Sequence, residues 1–472
     1  MLVPRLATLF ALGFLALPAV AFGQASIPIE HFVFIIQENH SFDNYFGTYP
    51  NANGIPAGVT LPSFPGDPFI NHPFLTKATH VPHDLGHSWL AAKVSYNSGS
   101  MDGFLYAGFL AGAQYYGKGI PIPKPNPNLV KITRHRGSAE STPPQSGEEI
   151  LSPSGFSDDE DDDAPDIEEK NEALAASVNA AGPPKRRPSW TDWAISYVDY
   201  HVIPNYWEYA RKYTLCDAFF SSLSGPSQPN HLYAVAAQSG GLVNNTAGLN
   251  ALDTAEYSFP SVNELLGNGQ VTWKYYSAKA PAQESIWNPL AGFKKYAKGT
   301  DLMSHLVKTS QFLRDIRNST LPQVCWVTPS KAESEHPPAN IQTGMWYVTT
   351  LVNAVMESPY WANTAIIILW DDYGGFYDHV TPIQADQYGF GFRVPAIVIS
   401  PYSRSGVVVH TTYDLTSPLK LLETKFHLSS LTGRDGSSNT MLECFDFSQA
   451  PLSTDIITKS TKLDFSDMPA SN

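Results

Sequence analysis

Cysteine is scarce in this chain: Cys216, Cys325 and Cys444 are the only three among 472 residues. That excludes a disulfide framework and allows at most one bridge, and with apolar or aromatic neighbours around each, buried free thiols are an equally good reading. Beyond residue 25 no apolar run reaches the roughly 18 residues that a membrane-crossing helix needs. No internal repeat occurs, and no basic stripe, which argues against a nucleic-acid partner. The formal charge is −14, but Glu148 to Glu172 alone holds twelve acids against the single base Lys170, a local net of −11, so the rest of the chain is only mildly acidic. What remains is a globular composition, 43% hydrophobic, long enough to bury a substantial core.

The first 25 residues have a basic start at Arg5, an apolar run from Leu6 to Val20 and small residues from Ala21 to Ala25. This pattern reads as a cleaved signal peptide and predicts a secreted protein, extracellular or in the cell wall. Residues 26–472 then read as a single domain. Sequons at Asn244 and Asn318 fit surface glycosylation in a eukaryotic host, whereas a third at Asn39 is expected to be too buried to carry sugar. Between about Gly117 and Arg187, hydrophobic periodicity gives way to IPIPKPNPN, STPPQSGEE, SDDEDDDAPDIEE and GPPKRRP. Proline, serine and charge runs bury too little apolar surface to offset the entropy of ordering, so 117–187 reads as a disordered acidic and proline-rich insertion. Deleting Pro125 to Pro184 should leave secretion and turnover within a few-fold, checked by assaying the culture medium; loss of folding would show an ordered element instead.

Elsewhere apolar strands alternate with helical patterns, which predicts a mostly parallel sheet covered on both faces. The strands are read at Phe32–Ile36, Val271–Tyr276, Val324–Thr328, Ala365–Trp370 and Ala396–Ser400, and helices at Ser261–Leu266, Ser304–Ile316, Gly344–Glu357 and Ser417–Phe426. Three strands end in polar clusters: QENHSFD after the first, PSKAESEHPP after the third and DDYGGFYDH after the fourth. In open α/β sheets, ligands bind outside the carboxyl ends of the strands, so these clusters are expected to form the walls of one site.

Glu38, Asn39, Asp371 and Asp372 offer the carboxylate and amide oxygens that suit a divalent cation. Adjacent aspartates directly after an apolar strand repel one another, a cost that a cation removes. In CDAFFSSLSGPSQPNHLYAVAAQSGG, Gly225-Pro226-Ser227 forms a tight turn and Pro229 suits the first turn of a helix running to about Gln238. Ser227 then stands at a helix N-terminus, where it either caps the helix or acts as a nucleophile.

The stretches IEHFVFIIQENHSFDNYFGTYP, HSWLAAKVSYNSGSMDGF, YTLCDAFFSSLSGPSQPNHLY, SEHPP, WDDYGGFYDHV, RVPAIVISPYSRSG and YDLTSPLKLLETKF follow one another as they do in the phosphoesterase family, and the chain resembles that family over about 29–116 and 188–447. The resemblance implies an alkaline-phosphatase-like three-layer α/β sandwich with a mostly parallel central sheet. It also implies a metal site made of Glu38, Asn39, Asp371, Asp372 and the nucleophile Ser227 itself, with Asn230 touching phosphate and His87 and His336 lining the pocket. Either histidine would hold phosphate oxygens or protonate the leaving alcohol. His379 is a weaker candidate that braces the Asp loop, and His40, Asp43, Asp102 and Asp378 are expected to be structural. The cation implied is Ca²⁺, Mg²⁺, Mn²⁺ or Zn²⁺.

The family contains secreted phospholipases C and acid phosphatases. Two departures bear on the choice: Ser227 stands where many lipase members carry threonine, and His40 where they often have arginine. The protein is also expected to lack the C-terminal β modules of the large bacterial lipases. ENHSFDNYFG and GPSQPNHLY nevertheless follow the phospholipase pattern more closely. The expected function is therefore a phospholipase C acting on glycerophospholipids through a covalent Ser227 intermediate, in transient contact with a membrane surface. The alternatives are an acid phosphatase acting on phosphomonoesters and, more remotely, an inactive binding protein; oligomeric state is not legible.

Overall fold

The computed structural model describes residues 27–64, 67–68, 70–108, 189–245, 257–278, 286–296 and 299–466. The stretches read from sequence as a signal peptide, 1–25, and as a disordered insertion, 117–187, lie outside the described residues.

Eight strands form the main sheet: β1 His31–Gln37, β2 Thr214–Cys216, β3 Trp273–Ser277, β4 Leu306–Lys308, β5 Val324–Val327, β6 Thr364–Trp370, β7 Ala396–Ile399 and β8 Val407–Val409. Their spatial order is β8-β2-β7-β6-β1-β5-β3-β4. Only β7 runs antiparallel, pairing with β6 on one side and β2 on the other. β1 lies between β5 and β6, parallel to both. A strand enclosed on both faces must be apolar throughout, which is why β1 and β6 read as nearly unbroken runs and are buried along almost their whole length.

The principal helices are α1 Phe42–Phe46, α2 Trp89–Tyr96, α3 Pro204–Lys212, α4 Ser227–Ala236, α5 Val262–Asn268, α6 Ser310–Arg317, α7 Ile341–Met356 and α8 Ser417–Phe426. Two groups pack around the sheet: α7 touches α3 and α6, while α4 touches α5 and α8. This is the predicted sandwich of helices, sheet and helices. Among the described residues no helix is long and apolar enough to cross a membrane.

One helix differs from the sequence reading. Ser304–Ile316 is not continuous: a 3-10 turn at Asp301–His305 leads into β4, and the helix begins only at Ser310. The cause is tertiary, since Leu306–Lys308 extends the sheet edge by pairing with β3. The strands β2 and β8 were not legible for a related reason, each being three residues long and too short to show a period. Of the three cysteines, Cys216 and Cys444 lie with sulfurs 3.6 Å apart, while Cys325 donates to the Pro322 carbonyl.

Candidate active site

The sheet register brings the polar clusters together. Gln37 and Trp370 are cross-strand partners at the carboxyl ends of β1 and β6, so the next residues, Glu38 and Asp371, emerge side by side. Backbone bonds continue past the strands: Asp371 N–H donates to Gln37 O at 3.0 Å and Glu38 N–H to Ser334 O at 3.0 Å. The chain turns sharply at Asn39, whose φ of 60° is left-handed, a conformation asparagine tolerates better than most residues. Its N–H then donates to Asp371 Oδ1 at 3.1 Å. Gly374 lies against this turn with φ +60°, and a Cβ there would stand 2.2 Å from Asn39 O and 2.6 Å from Asn39 Cβ. Gly374→Ala should therefore displace Asn39 and reduce turnover more than ten-fold; steady-state kinetics beside a thermal melt check this, and unchanged kinetics would show that the loop absorbs the methyl.

Ser227 is the first residue of α4, after Pro226 in extended conformation, and its hydroxyl caps nothing. Its Oγ instead donates to Asp372 Oδ2 at 3.2 Å and reaches Asn39 Oδ1 at 3.5 Å. Asp372 is fixed from the other side by the Gly374 N–H at 2.7 Å to Oδ1. One helical turn after Ser227, His231 places Nε2 2.8 Å from Glu38 Oε1 and 3.7 Å from Asp371 Oδ2. With Glu38 ionised, as a bound cation would hold it, Nε2–H is the donor and Nδ1 is the ring's bare acceptor. Burial holds His231 neutral by lowering its pKa to about 4, against the opposing pull of Asp371.

The five residues expected to form the ligand set thus converge, and all five are buried. Glu38 and Asp372 are pushed well above the usual carboxylate range, first by burial and next by the charge of Asp371. Glu38 Oε2 and Asp371 Oδ2 are buried with no hydrogen-bond partner, as is His231 Nδ1. Unpaired buried oxygens among mutually repelling carboxylates are what a cation would satisfy, so the residues present fit a divalent metal ion. Glu38, Asp371 and His231 present ligand atoms within 4.8 Å of one another.

His87 and His336 face the same region, with ring centroids 5.8 Å apart. His87 bonds through Nδ1 to Leu85 O at 2.7 Å and through Nε2 to Asn39 Nδ2 at 3.2 Å. Burial opposes its charged form, but Asp84 and Asp372 outweigh that and raise its pKa to about 9. His336 is half-buried and bonds the carbonyl of Pro337 through Nδ1.

Asn230 has a different task from the expected phosphate contact. Its Oδ1 accepts the Leu223 N–H at 3.0 Å, and its Nδ2 donates to Leu223 O, Gly225 O and Pro226 O at 3.1–3.2 Å. Its polar atoms are committed to the turn that carries Ser227, because that turn has no ladder partners and needs a side chain to satisfy its backbone. Neither does the start of α4 offer a row of spare amides: Pro229 has no N–H and Gln228 N–H donates to Asn245 Oδ1 at 2.8 Å.

The remaining polar residues make hydrogen bonds and ring contacts of their own. Arg393 binds Asp378 at 2.9 Å through Nε and Asp43 at 2.9 Å through Nη2, and His379 Nδ1 meets Asp43 at 2.7 Å. This buried network ties α1 to the Asp loop. His40 is stacked between Tyr45 and Phe376 and held by Asn44, and Asp102 accepts from Asn97 at the end of α2. Asn39, the residue of the third sequon, is fully buried.

A serine aimed into clustered carboxylate, amide and imidazole groups, at the carboxyl edge of a mostly parallel sheet, suits a hydrolase acting on phosphoric ester bonds. The chain belongs to the phosphoesterase family, whose model matches residues 29–122 and 128–429. It is 27% identical over 490 residues to phospholipase C A of Mycobacterium tuberculosis, covering 90% of this chain and 79% of that one. Non-specific phospholipase C3 of Arabidopsis thaliana is 24% identical over 465 residues, covering 89% and 74%. A solved protein of the alkaline phosphatase superfamily from Vibrio parahaemolyticus overlaps 52% of this chain and 65% of its own at 12% identity, with a TM-score of 0.34.

His231 was missed by sequence reasoning. Its signal was present, since Ser227 and His231 are four apart on a predicted helix and therefore share a face.

Proposed function

We propose that this protein is a secreted phospholipase C that cleaves glycerophospholipids through a covalent Ser227 intermediate. The observation that carries the reading is the direction of the Ser227 hydroxyl: it leaves the helix backbone uncapped and points at Asp372 and Asn39. The phospholipase names of relatives that align over about nine-tenths of the chain favour a phosphodiester lipid as substrate.

Glu38, Asn39, Ser227, Asp371 and Asp372 would hold a divalent cation, with His231 Nε2–H orienting Glu38. Such a cation supplies charge that acidifies a serine hydroxyl and neutralises phosphoryl oxygens. Asn230 keeps the Ser227 turn rigid. Ser227 Oγ passes its proton to the Asp372 carboxylate that it faces and forms a bond to phosphorus as the bond from phosphorus to the diacylglycerol oxygen breaks. The leaving oxygen takes a proton from His87 or from His336. Water then attacks phosphorus and gives a proton back to that histidine, the bond from phosphorus to Oγ breaks to release the phosphorylated headgroup, and Asp372 returns the proton to the serine.

Side-by-side assays of the purified protein on phosphatidylcholine and on an aryl phosphate test the reading. Release of diacylglycerol and phosphocholine, with the monoester turned over far more slowly, is the expected result. Hydrolysis of the monoester alone would overturn the phospholipase assignment in favour of an acid phosphatase.

A further inference from the structure

Glu335 precedes His336 and has no part in the chemistry above, yet it is fully buried and its carboxylate accepts four hydrogen bonds. Oε1 takes Gln37 Nε2 at 3.2 Å and Tyr206 OH at 2.5 Å. Oε2 takes Tyr45 OH at 2.7 Å and Trp370 Nε1 at 3.1 Å. Two of these donors are the cross-strand pair Gln37 and Trp370, each the residue immediately before a ligand pair, Glu38-Asn39 on one strand and Asp371-Asp372 on the other. Side chains of paired residues share a face of the sheet, so one carboxylate reaches both.

The surroundings are built around this group. Glu335 sits at φ 71°, a left-handed conformation that costs a non-glycine residue energy. Its Cγ occupies the place of a side chain on α7, where a Cβ at Gly344 would stand 2.2 Å away. Burial pushes the carboxyl up to about 7 against the pull of its four donors, so an uncompensated acid in this place would be expensive. The geometry is that of a clamp across two strand ends.

We propose that Glu335 is a positioning residue that fixes the spacing between the two ligand-bearing strand ends, and so sets the affinity of the site for its cation. The inference rests on the reading of Glu38, Asn39, Asp371 and Asp372 as cation ligands. Groups that hold metal ligands from behind alter affinity without touching the ion. Glu335→Gln is nearly isosteric, but its amide nitrogen cannot accept. With its amide nitrogen toward Trp370 the indole bond is lost, and with it toward Gln37 the Nε2 donor is opposed, so that Gln37 has to flip and give up its bond to Glu333 O.

The test is calorimetric titration of the metal-free full-length protein with Mn²⁺, alongside steady-state kinetics and circular dichroism. Glu335→Gln should bind Mn²⁺ at least ten-fold more weakly than wild type and lose kcat with KM within about two-fold, and higher Mn²⁺ should restore part of the turnover. A folded Glu335→Gln variant with wild-type Mn²⁺ affinity and kcat would overturn the proposal and leave Glu335 a purely structural acid. If that variant does not fold, Trp370→Phe, which removes one donor and keeps an aromatic ring, should weaken Mn²⁺ binding several-fold, and unchanged affinity there would equally overturn it. No Mn²⁺ binding by the wild type would overturn the cation reading itself, and the proposal with it.

Discussion

Ser227→Ala should lower turnover by roughly three or more orders of magnitude while the protein still folds. Serine at a helix start is ordinarily a cap, and losing a cap costs about 1 kcal/mol. Here Pro226 occupies the cap position and the Ser227 hydroxyl bonds only to side-chain oxygens, so even that modest loss is not expected. A stable variant without activity separates the two roles cleanly. Ser227→Thr should retain a measurable fraction, since the hydroxyl survives, although the added methyl enters a fully packed corner. Steady-state kinetics beside thermal melts decide the point, and wild-type turnover by Ser227→Ala would remove the nucleophile from the account.

Asp371→Asn should abolish turnover and cation binding together, and should make the metal-free protein no less stable. Its Oδ1 would still accept the Asn39 N–H, so the backbone turn survives. The lost charge is the one that, after burial, does most to push Glu38 and Asp372 upward. Removing it relieves repulsion at neutral pH, where those carboxylates would otherwise have to ionise beside it, and a cation supplies the same relief in the wild type. The expected signature is a melting temperature that rises with added metal for the wild type and does not move for Asp371→Asn. Full activity of the wild type after exhaustive chelation, with no metal left by elemental analysis, would remove the cation from the mechanism.

The parts of the site legible in the sequence were those written locally. An unbroken apolar run followed at once by Glu38-Asn39 or Asp371-Asp372 marks a buried strand and its polar end, and both were where that pattern put them. Gly225-Pro226-Ser227 and Pro229 likewise announced the start of α4. What did not show was whatever depends on a partner far along the chain. Asn230 looked free to meet a ligand because the backbone groups that occupy it cannot be seen in sequence. Glu335 looked like one more acid in a polar loop, since its four donors come from residues 37, 45, 206 and 370. The strand β4 was hidden inside an apparent helix because its pairing with β3, and not its own pattern, makes it extended.

Rapid acid quench of the wild-type protein during turnover of phosphatidylcholine labelled in its phosphate tests the central claim most directly. The account predicts label trapped on the protein as an acid-stable ester, with peptide mapping placing it at Ser227 and none forming in Ser227→Ala. Label on any other residue, or turnover with no trapped adduct under conditions where the second step is slowed, would contradict it.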